Sequence, residues 1–494
     1  NQGYGVTDTR NFQQSFRLAD FMIWYQLIKA PDQVRRRVAL ALSEYFVVNQ
    51  TGLMAGGVNY FDNFYLAKYF EILCKNAFGN FRQLLEDVTL SAAMGAMLNT
   101  AGNKKEDSST GRLPDENYAR EVMQLFTIGV NQLNPDGSLK TDAAGSPVPT
   151  YTQSDVTNLA RVFTGYELDF SAGRTPSPLP PFNLMVANYE NSIYSLKFVP
   201  ANHSLLEKKF LGVTIPANTD GPASLRIALD TLFNHSNVGP FFCRQMIQRL
   251  VTSNPSPAYV ARVASIFNNN GSGVRGDLKA VFRAILLDDE ARGSASLVSP
   301  THGKLREPIL RFVHWARFSK VQSRAGTWKI SGMGYWFAQE PFKSPTVFNF
   351  FRPGYVPPST AFARLNATAP EFQIVDELSV AQYVNFLMNN LQNGIQVKSP
   401  ENIQPVEGYS KDDPYDIVPD YSLELSLITD PVAFVKRLNL TLAAGRLSQD
   451  TETNIINAIK STPITAASSD TEKLKSVCSA IFLVMCATEY IVQK

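Results

Sequence analysis

Apolar residues recur along this chain at the three- and four-residue spacing of an α-helix, and that periodicity restricts the fold more than any other feature. Side chains at such spacing share one face, which must be buried against another element. Residues 12–28 read as a first helix, 31–48 as a second, 60–74 as a third and 80–98 as a fourth. Pro31 and Pro114 each suit a first helical turn, where a missing N–H is not needed. The helix after Pro114 is expected to reach Ile128, with Asp115 and Glu116 favouring its N-terminus. Thr152 to Asp155 reads as a capping box for a helix over 154–165. Helices follow at 223–233, 238–251, 257–268, 277–291 and 308–320, and three more close the chain at 431–447, 452–459 and 471–492.

Asn134-Pro135-Asp136-Gly137 is a turn signal and predicts a small hairpin with residues 148–151. Residues 167–219 have little periodicity and are too long for a plain connector; such stretches are functional loops or carry short strands. Residues 326–370 are again irregular and aromatic, and the Pro/Asp-rich 398–421 stretch reads as a surface loop. The fold expected is all-α, a mainly helical body with short β-hairpins in long loops. Its organisation reads as an N-terminal helical region (1–166), an irregular insertion (167–222), a central helical region (223–320), an aromatic and Pro-rich segment with one helix (321–430) and C-terminal helices (431–494), together one compact body. No repeat of fixed period is present.

Composition narrows the function classes. The 46 Lys and Arg balance 44 Asp and Glu, with no clustered basic excess, so nucleic acid is not an expected partner. The run Arg35-Arg36-Arg37 reads as a solvated helix turn. Residues 476–488 lack charge but fall short of the roughly 20 residues that cross a bilayer. Cys74, Cys243, Cys478 and Cys486 form no C-x-x-C pair, and the last two, on one helix, lie too far apart for a bridge to each other. The chain opens without a leader-like segment and without Met, as a processed or partial chain would.

Several segments together carry a resemblance. They are residues 37–44 (RVALALSE), 78–82 (FGNFR), 114–125 (PDENYAREVMQL), 151–155 and 159–165 (LARVFTG). Further on come His203 with 207–212, Arg244-Gln245, Arg249-Leu250-Val251, 304–308 (KLREP) and 344–353 (SPTVFNFFRP). In this order, from about Phe12 to the C-terminus, the chain resembles the bacterial domain-of-unknown-function family numbered 1800. Many relatives carry histidines matching 42–46 and Phe126, where this chain has Ser43, Tyr45 and Phe126. No role for those histidines carries over. The resemblance implies an exported, periplasmic or cell-surface protein and, as partner, an exported protein similar to sulfatases and alkaline phosphatases. It implies no reaction, cofactor or catalytic residue.

On a wheel of the 116–129 helix, Tyr118, Val122, Leu125, Phe126 and Gly129 form the apolar stripe. Glu116 and Arg120 fall opposite as an ordinary i, i+4 pair. Glu121 lies at the stripe edge, flanked by Asn117 and Gln124, and a carboxylate there needs a partner. Arg249, at the edge of the 238–251 stripe, and Arg306 are the arginines expected to supply it. His203, in a long loop ahead of Lys208, is the best-placed histidine for a ligand or acid–base role, with no such role as the plainer reading; His314, on a helix beside Trp315, reads as a packed or half-exposed surface residue. Glu121, His203 and Arg249 are thus the catalytic candidates. Asn117, Gln124, Lys208, Arg306, Glu307, Asn349 and Arg352 are the binding candidates, the last two on an aromatic loop (348–355) that either plugs the core or stacks on a ligand. No metal-ligand spacing, phosphate loop or nucleophile elbow occurs, and the cofactor is left open.

The leading expectation is a non-enzymatic exported module that binds a partner protein or assembles as a homo-oligomer. The alternative is an exported hydrolase or transferase acting on an extracellular polymer, which calls for a pocket joining Glu121, His203 and the Arg244 helix.

Overall fold

The computed structural model describes residues 18–56, 62–169, 192–324, 326, 328, 330, 332–396 and 414–494. The expected start of the first helix, residues 170–191 of the 167–219 loop and residues 398–413 of the last loop lie outside the described residues. The fold is mainly helical; among the described residues the strands are short and antiparallel, in three two-stranded pairs and one three-stranded sheet in which Tyr415–Val418 lies between Gln322–Ser323 and Ile395–Gln396. It divides into two compact units, named here for their place in the sequence. The central unit comprises Asp32–His302 and Phe342–Pro353; the terminal unit comprises Asn1–Pro31, Gly303–Pro341 and Gly354–Lys494.

In the central unit the helices Asp62–Asn76, Phe81–Thr89, Val238–Leu250 and Pro257–Asn268 bury their apolar stripes together. Phe81 is the hub, its ring 6.0 Å from Phe46, 4.9 Å from Phe242 and 5.4 Å from Phe267. Such edge and tilted contacts add to the area each ring buries. In the terminal unit the Pro308–Phe318 helix gives Phe312 and Trp315 to a core with Trp24, Phe337 and Phe386. The Trp315 indole N–H reaches the Tyr421 hydroxyl at 3.0 Å.

Several expected helices are interrupted for local reasons. The 80–98 stretch is two helices, Phe81–Thr89 and Ala92–Met97. The Leu90 carbonyl accepts from Leu196 N (2.7 Å), and Met94 N turns instead to Ser91 Oγ, which caps the second helix. The helix after Pro114 spans only Asn117–Gln124. Asn103 holds Asp115 in a loop through two bonds, and Gly129 at φ +70° closes the other end, with Ile128 and Gly129 both donating to Met123 O. The capping box forms as read, on a helix Gln153–Val162.

Lys208–Phe210 and Val213–Ile215 form a two-residue hairpin, with Leu211 and Gly212 at φ 47° and 78° in its turn. The other pairs join distant stretches, such as Lys304–Leu305 with Val492–Gln493. The Asn134–Gly137 turn lies within a nested loop bridged by Leu133 to Leu139 and Asn131 to Pro149.

Candidate functional site

The short Asn117–Gln124 helix buries Tyr118, Ala119, Val122 and Met123, and Tyr118 fixes it by a 2.7 Å bond to Thr89 Oγ1. Leu125, expected in the stripe, is half-exposed because the helix has ended there. Glu121 is 8% exposed, and its Oε2 has no hydrogen-bond partner among the described residues. Burial pushes its carboxyl above the ordinary range, against a smaller pull from Arg120. Gln124 accepts from the Tyr151 hydroxyl at 3.1 Å, and Asn117 N is held by Asp115 Oδ1 at 2.8 Å. The outer Glu116–Arg120 pair forms at 3.1 Å, joined by Gln153 and Thr157.

The arginine expected beside Glu121 is elsewhere. Arg249, 6% exposed, gives Nη1 to Glu44 Oε2 at 3.0 Å and Nη2 to the Glu44 carbonyl at 2.8 Å. The Val238–Leu250 and Gln33–Ser43 helices pack together, so a charge at the edge of one meets the residue just past the end of the other. Arg37 Nη2 donates to the Arg249 carbonyl, and the Phe351 ring lies 5.9 Å from the Arg249 guanidinium. The 342–353 loop therefore plugs the central unit beside this pair. Asn349 is buried there at φ 66°, and Arg352 stacks on Phe348 at 5.3 Å.

Ser43, Tyr45 and Phe126, standing where relatives carry histidines, are all buried. Tyr45 donates to the Phe126 carbonyl at 3.1 Å and packs edge-on against Phe242. Burial holds the Tyr45 phenol far above its usual range, so this spot presents aromatic core and no group that titrates near neutrality.

His203 and Lys208 do come together. His203 is 1% exposed and its Nδ1 donates to the Thr164 carbonyl at 2.9 Å, which makes Nε2 the unprotonated nitrogen. That Nε2 has no partner among the described residues. Burial lowers the imidazole pKa, and the neutral ring packs 5.5 Å from Phe198. Lys208 Nζ is fully buried and donates to the Ser204 and Leu206 carbonyls at 2.9 and 3.2 Å. Ser204 in turn bonds Glu106, which sits 3.8 Å from Arg161. No hydrogen bond or ion pair joins Glu121 to His203 or to Arg249 among the described residues.

In the terminal unit Glu307, 1% exposed, pairs with Lys304 at 2.9 Å and accepts from Gln339, and Lys304 also meets Glu371 at 3.2 Å. Arg306 donates to His314 Nδ1 at 2.7 Å and stacks on Tyr490 at 4.4 Å. It too is committed away from Glu121. The four cysteines are free thiols.

The open cavity lies where sequence reasoning had placed only a turn. In the central unit a cleft of about 750 Å³ runs between the Asp136–Ser138 turn, Arg244, the start of the Pro257–Asn268 helix and Asp289-Glu290. Asp136 accepts from Ser138 N and Oγ at 2.9 and 2.6 Å, which hold its carboxyl below the usual range. Glu290 accepts from Ser256 N and Oγ at 3.0 and 2.5 Å. Arg244 has one long bond, Nη1 to the Gly137 carbonyl at 3.4 Å, and no ion pair among the described residues. Burial alone lowers its pKa. The sequence signal that could have found the cleft was the Pro135–Gly137 turn with Ser256-Pro257, but their proximity is tertiary. Among the described residues no three His, Cys, Asp or Glu side chains could hold a metal ion, and no helix is long and apolar enough to cross a membrane.

Fold and site together define a mainly helical protein of two units, in which Arg249 pairs with Glu44 and Lys304 with Glu307 and Glu371, while Arg244 lines a polar cleft without an ion pair among the described residues. Residues 7–492 match the family described as protein of unknown function (DUF1800), and the chain belongs to that family. No curated protein and no solved structure matches the chain.

Proposed function

We propose that this protein works by binding, and that the Arg244 cleft takes a polar segment of a partner protein through one carboxylate. The observation that carries the reading is the Arg244 guanidinium, which lines the cleft with a single 3.4 Å bond and no carboxylate partner among the described residues. A guanidinium presents five donors in a fork that fits a carboxylate. Asp136, Asp289 and Glu290 share the cleft, so a polyanion is repelled and a segment with one acid among neutral polar groups is favoured. Export to the periplasm or cell surface, and an exported sulfatase- or phosphatase-like partner, belong to the same proposal; their support is the family resemblance. A homo-oligomer is the rival assembly.

The test is fluorescence anisotropy with labelled Ser/Asn peptides carrying one Glu, one Gln or six Glu. The single-Glu peptide should bind best. Arg244→Ala should weaken it at least tenfold, consistent with about 1.5–3 kcal/mol for a charged hydrogen bond. Equal binding of the Glu and Gln peptides, or no effect of Arg244→Ala, overturns the reading.

A second reading, a hydrolase or transferase on an extracellular polymer, is favoured by Glu121 alone. A buried carboxyl with a raised pKa and an unpartnered oxygen is suited to donate a proton. It predicts a turnover lost in Glu121→Gln and retained in Arg244→Ala.

A further inference from the structure

The terminal unit contains a second cavity of different chemistry. It measures about 200 Å³ and is walled by apolar groups, among them Pro308, Phe337, Phe372, Val380, Val384 and Ile491. One cation, Arg311, lines it. Arg311 springs from the Pro308–Phe318 helix and is 8% exposed. Its Nε donates to the Arg306 carbonyl at 2.7 Å, and its guanidinium lies over the Tyr383 ring at 4.9 Å. These contacts aim the group but leave its charge unneutralised. Among the described residues it has no ion pair, and neither Nη has a hydrogen-bond partner.

The surroundings do not supply the missing negative charge. The ionisable groups that act most strongly on Arg311 are Tyr383, Tyr490, Arg306 and Cys486. Burial raises both phenols above their usual range and holds the Cys486 thiol at about 11, so all three are neutral at pH 7. Arg306 is a second cation. A nearly buried guanidinium without a counter-charge is unfavourable, and an anion entering the cavity relieves it. The walls demand that the rest of the ligand be apolar.

We propose that this cavity is a binding site for a medium-chain acyl carboxylate, its carboxylate forked onto the Arg311 Nη groups and its chain along the apolar wall. A 150 Å³ apolar cavity accepts a benzene ring, so 200 Å³ suits a chain of roughly six to nine carbons. The site is separate from the Arg244 cleft and does not depend on it.

The probe is octanoate, titrated into the full chain by calorimetry, with octanol and octylammonium as controls of equal length. Octanoate should bind one to one and at least tenfold tighter than either control. Arg311→Met should remove that preference. Because replacing the buried Arg311 puts folding itself at risk, Val384→Trp is the second variant: it fills the cavity, leaves the arginine in place, and should abolish octanoate binding with an unchanged circular dichroism spectrum. Arg244→Ala should leave octanoate binding unaltered. Octylammonium binding as well as octanoate, or octanoate binding that survives Val384→Trp, or no octanoate binding at all, overturns the proposal.

Discussion

Separating Arg249 from Glu44 should reveal what that buried pair is for. Both side chains are about 95% buried, at 6% and 5% exposure, and they meet at 3.0 Å with a second bond to the Glu44 carbonyl. At that distance the gross attraction is roughly 5 kcal/mol at an effective dielectric near 20, much of it offset by lost hydration. Removing one partner leaves the other buried without its counter-charge. Glu44→Met and Arg249→Met should therefore each cost about 3–5 kcal/mol. The double variant replaces both charges with apolar groups of similar length and should recover at least ~2 kcal/mol of the summed loss. The assay is urea unfolding followed by circular dichroism, read as a double-mutant cycle. Single variants costing less than ~1 kcal/mol, the value of an exposed pair, or losses that simply add, would refute the reasoning. They would also free Arg249 for a role at a functional site.

Other outcomes follow from the same geometry. Burial, then Arg306, lowers the His314 pKa from 6.5 to about 4, so the unfolded chain binds a proton that the folded chain refuses; stability from this group is present above pH 6.5, is lost as pH falls toward 4, and amounts to roughly 3 kcal/mol. His314→Gln should flatten that part of the pH–stability curve, and an unchanged slope would contradict it. Glu121 has the opposite sign: its raised pKa favours the folded state below the ordinary carboxyl range, and that contribution is lost as pH rises through the folded value. Glu121→Gln should thus gain stability relative to the parent at pH 8 compared with pH 4; a gain independent of pH would argue against a buried ionising carboxyl. Gly129→Ala should cost more than ~1 kcal/mol by thermal unfolding, since φ is +70° and an added Cβ meets the Phe241 ring at 2.7 Å; a neutral result would mean that Phe241 yields freely.

Local chemistry was legible in the sequence where local chemistry decided the outcome. The Pro257–Asn268 helix ends where its Pro and Asn signals put it, and Thr152 and Asp155 close their capping box. The misreadings arose where a distant group competed for a backbone bond. Periodicity carried the 80–98 helix through Ser91, because nothing nearby shows that Leu196 takes the Leu90 carbonyl. The same limit governed the site. A helical wheel located Glu121 at a buried edge correctly, yet it could not tell that Arg249 meets Glu44, a residue 205 positions away. His203 and Lys208 were near enough in sequence to be read together, but their burial depends on Thr164 and Glu106. Lys304 and Glu307 share a short segment, whereas Glu371 reaches them only through the fold. Arg244 and Arg311 stand out only because other charges are visibly engaged elsewhere.

The central claim is recognition through Arg244, and native mass spectrometry of the protein taken from its source tests it most directly. Parent and Arg244→Ala chains, expressed at equal levels, should differ in one respect. The parent is expected to carry a second protein in whole-number ratio, and the variant to have lost it while keeping its own fold. A partner held equally by both chains, or a parent chain that carries a stoichiometric metal ion and no partner, would contradict the account.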